Sequence, residues 1–81
     1  MSRVSGASDE SGALKRLGSR IRERRRELDL SQEALSDAAG IDRSHMGKIE
    51  RGERNVTLLN LVRIAAALGE LPSNLLARAR L

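Results

Sequence analysis

The constraint that narrows this chain most is a pair of short helices forced around one glycine. Leu30-Ser31-Gln32-Glu33 carries a helix start, because Ser31 is a preferred N-cap and Glu33 in the first turn suits the helix dipole. The helix runs to about Ala39, and Gly40 supplies the unhindered backbone of a sharp turn. Ile41 follows as a buried plug, and Asp42 caps a further helix that ends near Arg51 with Gly52 as its left-handed stop. Two helices crossing closely across so tight a turn need small or apolar residues at fixed offsets. Leu35, Ser36, Gly40, Ile41, Met46 and Ile49 supply them, so a helix-turn-helix lies between Ser31 and Gly52.

The flanks read as helical too. From Ala13 to Asp29, Leu14, Leu17, Ile21 and Leu28 recur at helical spacing, while Lys15, Arg16, Arg20, Arg22 and Arg26 fill the rest of the wheel. That basic run reads chiefly as a solvated face, since Glu23 and Glu27 interleave it. Thr57 caps a fourth helix, Leu58 to Leu68, apolar nearly all round and closed by Gly69, which is expected to form the buried spine of the core. Pro72 opens a short fifth helix with Leu71, Leu75 and Ala79 on one stripe and Leu76 beside it. Residues 1–12 are rich in Ser and Gly and almost free of apolar side chains, so they are read as a disordered tail, with the folded domain spanning 13–81. The expected fold is all-α, with five helices.

Composition then excludes several functions. With no cysteine and a single histidine, His45, the chain offers neither a disulfide nor a metal site, and no cofactor is expected. It offers no nucleophile, base and orienting group in a recognisable array, so it is not read as an enzyme. The N-terminus lacks the apolar core of a signal peptide and no apolar run approaches a membrane span, which points to a cytoplasmic protein with no membrane contact. Fifteen Lys and Arg against 11 Asp and Glu give a net charge of +4, which favours polyanionic partners without proving them. The absence of Phe, Tyr and Trp argues against modules that stack bases on aromatic platforms. Double-stranded DNA is therefore the favoured nucleic acid.

Four fragments in order carry a specific resemblance: Leu30-Ser31-Gln32-Glu33-Ala34-Leu35, Gly40-Ile41-Asp42-Arg43-Ser44, Ile49-Glu50-Arg51-Gly52, and the run from Leu61 to Gly69. Over residues 14–77 the chain resembles the phage-repressor (Cro/C1-type, XRE) helix-turn-helix family. The resemblance implies a five-helix domain whose third helix enters the major groove, often as a dimer on operator DNA, and hence sequence-specific binding and transcriptional regulation. It also implies a partly buried structural ion pair between Arg25 and Glu50. Arg43, Ser44 and Lys48 are the candidate base readers, since Arg and Lys read guanine and Ser can read several bases. Gln32 matches a family position that commonly touches phosphate, and Arg51 and Arg54 are further backbone candidates. His45 either reaches phosphate or faces solvent. Gly47 stands where the family often has a side chain, so readout there is weaker or rests on close backbone approach. Glu70-Leu71 departs from the family pattern after Gly69.

One reading helix covers only a few base pairs, so a homodimer on paired half-sites is expected. Leu59, Leu71, Leu75 and Leu76 are its candidate contacts, with intramolecular packing as the alternative use of the same leucines. Two rival functions stay open: an antitoxin or coregulator module working through protein contacts, and, within DNA binding, a controller of a restriction-modification system, which the chain resembles in size.

Overall fold

A computed structural model describes residues 9–81. It contains five helices in the order α1 (Ala13–Glu27), α2 (Gln32–Ala39), α3 (Arg43–Glu50), α4 (Leu58–Ala67) and α5 (Pro72–Arg78), and no strand among the described residues. The expected caps form. Ser31 Oγ accepts from the Ala34 N–H at 3.0 Å, an Asp42 carboxylate oxygen from the Ser44 N–H at 3.1 Å, and Thr57 Oγ1 from the Asn60 N–H at 3.1 Å. Gly40 turns at φ 68°, and the Ile41 N–H donates back to the Ser36 carbonyl at 2.9 Å, which is the backbone lock of the turn between α2 and α3.

Helix α1 begins at Ala13, where its apolar pattern places it. Of the segment 1–12 read as a disordered tail, residues 1–8 lie outside the described residues, and residues 9–12 form a hydrogen-bonded turn ahead of the helix. The Asp9 carboxylate accepts from the Leu14 N–H at 2.7 Å and from the Ser11 hydroxyl at 2.7 Å. Arg16 then ties this turn to the other end of the chain, donating to the Ser11 carbonyl at 2.6 Å and to the Ala79 carbonyl at 3.0 Å. At its far end α1 stops at Glu27 rather than Asp29. Asp29 adopts a left-handed φ of 55°, and the Leu30 N–H closes on the Arg25 carbonyl at 3.0 Å. Leu28 is thereby turned partly to solvent, 39% exposed, and leaves the apolar stripe.

The core is a single cluster drawn from every helix, with Ile21, Leu35, Met46, Ile49, Ile64, Leu68 and Leu75 almost completely enclosed. At about 25 cal/mol per Å² such side chains each contribute some 1.5–3 kcal/mol, which is how an 81-residue chain holds together without disulfides or aromatics. Two expectations are corrected here. Helix α4 is not a buried spine: Leu61, Ile64 and Ala65 face inward against α2 and α5, but Leu58, Leu59 and Val62 are 72%, 69% and 44% exposed because no element among the described residues covers that side. Leu75, expected as a possible dimer contact, is 1% exposed and belongs to the core, and Leu76 is half-buried against the same cluster. Only Leu59 and Leu71 of that set stand out in solvent.

Glu70, the departure after Gly69, has a definite task. Its carboxylate, with the side chain 10% exposed, meets Arg24 Nε at 3.2 Å, and the same Nε donates to the Leu68 carbonyl at 3.3 Å. Arg24 thus pins the turn between α4 and α5 onto α1. No helix among the described residues is long and apolar enough to cross a membrane.

Candidate functional site

Helix α3 occupies a position set from both ends. At its start Asp42 caps the helix, accepting from the Ser44 backbone and, at 2.6 Å, from the Ser44 hydroxyl. At its end α1 comes so near that a Cβ built on Gly18 would lie 2.5 Å from the backbone oxygens of both Ile49 and Glu50. Only glycine permits that approach. Just beyond, Gly52 at φ 73° packs against the Lys15 backbone, where a Cβ would fall 2.7 Å from Lys15 Cα. Neither close approach was anticipated from the sequence; a glycine inside an otherwise helical run, as at Gly18, was the available signal.

Arg25 and Glu50 are brought together by this packing. The guanidinium spans the carboxylate with two bonds, Nε to Oε2 at 2.9 Å and Nη2 to Oε1 at 3.0 Å, and its Nη1 donates to the Leu30 carbonyl at 2.8 Å. The side chains are 11% and 2% exposed. Gln32 joins the cluster, its Nε2 donating to Glu50 Oε1 at 3.1 Å. An amide has two N–H donors and a carbonyl, so Gln32 keeps one donor and its oxygen for other partners.

Facing away from the core, Gln32, Arg43, Ser44, Gly47, Lys48 and Arg51 line one shallow groove. It gathers all three base-reading candidates and two of the backbone candidates on one surface of α3 and the start of α2. Arg43, Ser44 and Arg51 are exposed and Lys48 half-buried. His45 is half-buried and Arg54 exposed, and neither lines the groove. Gly47 is covered by its neighbours: a Cβ there would lie 3.2 Å from Arg51 Nη1 and 3.7 Å from Gln32 Oε1.

Two contacts within the groove bear on its chemistry. Because the Ser44 hydroxyl donates to Asp42, its free lone pairs make it an acceptor toward anything outside. Its hydrogen bond, followed by the backbone N–H groups of His45 and Ser44, holds the Asp42 carboxyl below the usual carboxylate range. Arg51 is engaged by Glu53, Nε to Oε2 at 2.7 Å, with both side chains half exposed. The Arg51 hydrogen bond leads the causes that lower the Glu53 carboxyl, and the same contact raises Arg51. The groove is therefore a cationic strip with two carboxylates, Asp42 and Glu53, at its edge.

This architecture and groove define a class: the chain belongs to the helix-turn-helix family, whose model matches residues 21–76, and is a DNA-binding transcription regulator of that family. Within it the similarity runs to a particular group. The chain is 44% identical over 55 residues to the control protein C.MunI of a Mycoplasma species, covering 67% of this chain and 74% of the relative. It is 42% identical over 62 residues to the control protein C.SmaI of Serratia marcescens, covering 76% and 74%. Among solved structures it superposes on the restriction-modification controller protein C.AhdI from Aeromonas hydrophila with a TM-score of 0.75 and 47% identity, over 76% of this chain and 94% of that one.

Proposed function

We propose that this protein acts in the cytoplasm as a homodimer that reads two half-sites of duplex DNA through α3 and controls transcription of a restriction-modification system. The observation that carries the reading is the groove shared by Gln32, Arg43, Ser44, Gly47, Lys48 and Arg51, a polar, cationic strip on a helix held at both ends. The controller assignment draws support from the relatives, several of which are control proteins by name.

Within the groove the roles divide by chemistry. Arg43 and Lys48 carry donors that match the O6 and N7 acceptors of guanine in the major groove, and Ser44, left as an acceptor, suits the exocyclic amine of cytosine or adenine. Gln32 and Arg51, at the edges, lie nearer the sugar-phosphate strands, with Arg54 beyond them. His45 stays outside the set. For the dimer, Leu58, Leu59 and Val62 on α4 with Leu71 form the apolar surface available to a second copy, replacing Leu75 and Leu76 in that role.

Selection from random-sequence duplexes tests the reading, and enrichment of a two-part motif is the expected result. Arg43→Ala, Ser44→Ala or Lys48→Ala should relax preference at single positions, at about 1–3 kcal/mol per lost base contact, whereas Arg51→Ala should weaken all duplexes alike. Failure to enrich any motif would reject sequence-specific binding. Sedimentation of Leu59→Glu should give monomers, and a wild type that stays monomeric on a two-half-site duplex would reject the dimer.

A further inference from the structure

Beside the reading groove lies a second depression, between α1, the start of α2 and the end of α3, lined by Arg22, Arg25, Gln32, Glu50 and Arg51. Gln32 and Arg51 line both, so the two are continuous. The floor is electrically balanced, because Arg25 and Glu50 satisfy each other there. What remains at the rim is Arg22 of α1 and Arg51 just past the end of α3, with the spare amide donor of Gln32 in the same lining.

Arg22 differs from Arg16, Arg20 and Arg24 in having no partner among the described residues, and of the unpaired cations of α1, Lys15, Arg22 and Arg26, it is the one that lines this depression. Arg20 is neutralised by Glu23 at 2.6 Å and Arg24 by Glu27 at 3.1 Å, while Arg16 is committed to backbone carbonyls. The two carboxylates of α1 are thus already engaged. Arg22 is exposed and makes no hydrogen bond or ion pair with any described residue. An unpaired guanidinium beside a second guanidinium and an amide donor, at the margin of a surface that would meet DNA, presents the planar donor fork that phosphate oxygens accept in pairs.

We propose that this cleft receives one backbone phosphate of the bound duplex, with Arg22 as the ligand that extends the DNA footprint from the helix-turn-helix onto α1. The inference rests on the DNA-binding reading and deepens it. It assigns to a residue of the basic α1 run a contact that the pattern of that run, read as a solvated face, conceals. Arg51 has to exchange Glu53 for the phosphate, whereas Arg22 gives up no partner, so Arg22 is the stronger grip of the two.

The test uses the full chain and the duplex selected above, compared with a scrambled duplex across a salt series. Arg22→Gln is expected to keep the wild-type melting temperature, to lose roughly five- to tenfold in affinity on both duplexes, and to flatten the slope of log K against log salt by about one. Arg63→Gln, which removes the same charge from the exposed side of α4, serves as the control and should cost distinctly less. Replacing single phosphates by neutral methylphosphonates should weaken the wild type at one position per half-site where Arg22→Gln is indifferent. Equal losses for Arg22→Gln and Arg63→Gln, or interference at every phosphate alike in both proteins, would overturn the clamp. Failure of the wild type to bind any duplex would instead refute the DNA-binding reading itself.

Discussion

Removing the carboxylate of Glu50 is the most severe single change the structure allows short of emptying the core. Glu50→Ala leaves the Arg25 guanidinium, 11% exposed, with only the Leu30 carbonyl in place of three acceptor contacts. Breaking a buried pair from one side costs about 3–5 kcal/mol, because the surviving charge stays desolvated. Residual exposure of Arg25 and its bond to Leu30 place the value near the lower end, about 3 kcal/mol. A domain of this length has a total stability of roughly 4–12 kcal/mol. At about 4–8 °C per kcal/mol, the melting temperature should fall by some 12–24 °C. Thermal and urea denaturation give the number directly. A companion variant, Arg25→Met with Glu50→Leu, removes both charges and should recover most of the loss, since replacing a whole buried pair by apolar side chains is often close to neutral. A fall of only a few degrees for Glu50→Ala would refute the reasoning. So would a double variant as unstable as the single one, because the penalty would then not be the orphaned charge.

Three further predictions follow from other contacts. Gly18→Ala should destabilise by about 1–3 kcal/mol, although helix propensity alone would favour alanine by about 1 kcal/mol, because the new Cβ meets two backbone oxygens that cannot swing aside; a raised melting temperature would sink the claim of a close α1–α3 approach. Ser36→Ala should be neutral or stabilising by up to about 1 kcal/mol, since the Ser36 hydroxyl is buried with no partner among the described residues; a clear loss on denaturation would mean the hydroxyl is bonded. The Asp42 carboxyl is depressed in the folded state, so its contribution is complete above the unfolded aspartate value near pH 4 and is lost as pH falls through the lower folded value. The melting difference between wild type and Asp42→Ala should therefore be constant above about pH 5 and shrink below pH 4, and a difference that persists undiminished at low pH would contradict it.

What was legible in the sequence is what is encoded locally. Ser31, Asp42 and Thr57 act as caps within three residues of themselves, and Gly40, Gly52 and Gly69 stop their helices by backbone conformation alone. The helical spacing of Ser44, Gly47, Lys48 and Arg51 likewise put them on one side of a short helix, with Arg43 at the edge of that face, before any fold was known. What escaped depends on neighbours distant in the chain. The apolar run of α4 does not reveal that its main packing is on α2 and α5, which leaves Leu58, Leu59 and Val62 exposed. Leu75 and Leu71 look alike as letters, yet one fills the core and the other is 65% exposed. The turn at residues 9–12 is held by Asp9 and by Arg16, whose second bond reaches Ala79. Gly18 matters only because α3 ends against it. In the groove, the spacing of side chains could not show that Ser44 spends its proton on Asp42 or that Arg51 is held by Glu53.

These long-range contacts are also what make a short helix fit to read DNA. At about 1.5 Å per residue, α3 is only about 12 Å long, and an isolated helix of eight residues is not stable in water. Its orientation must come from outside itself. One end is fixed by the Asp42 cap and the buried Ile41 plug, the other by Glu50 on Arg25, the Gly18 approach and the packing of Gly52 on Lys15. Between these anchors Met46 and Ile49 face the core, which leaves Arg43, Ser44 and Lys48 turned to the other side. Their backbone positions are thus set by α1 and the core, while their side chains remain free to differ. On the proposed reading, base preference would change by substitution at those three positions without disturbing the frame, whereas a change in the frame at Gly18 or Glu50 would displace all three together. The ion pair and the small residue on α1 would then serve recognition without touching DNA, through the accuracy with which they hold α3 in place.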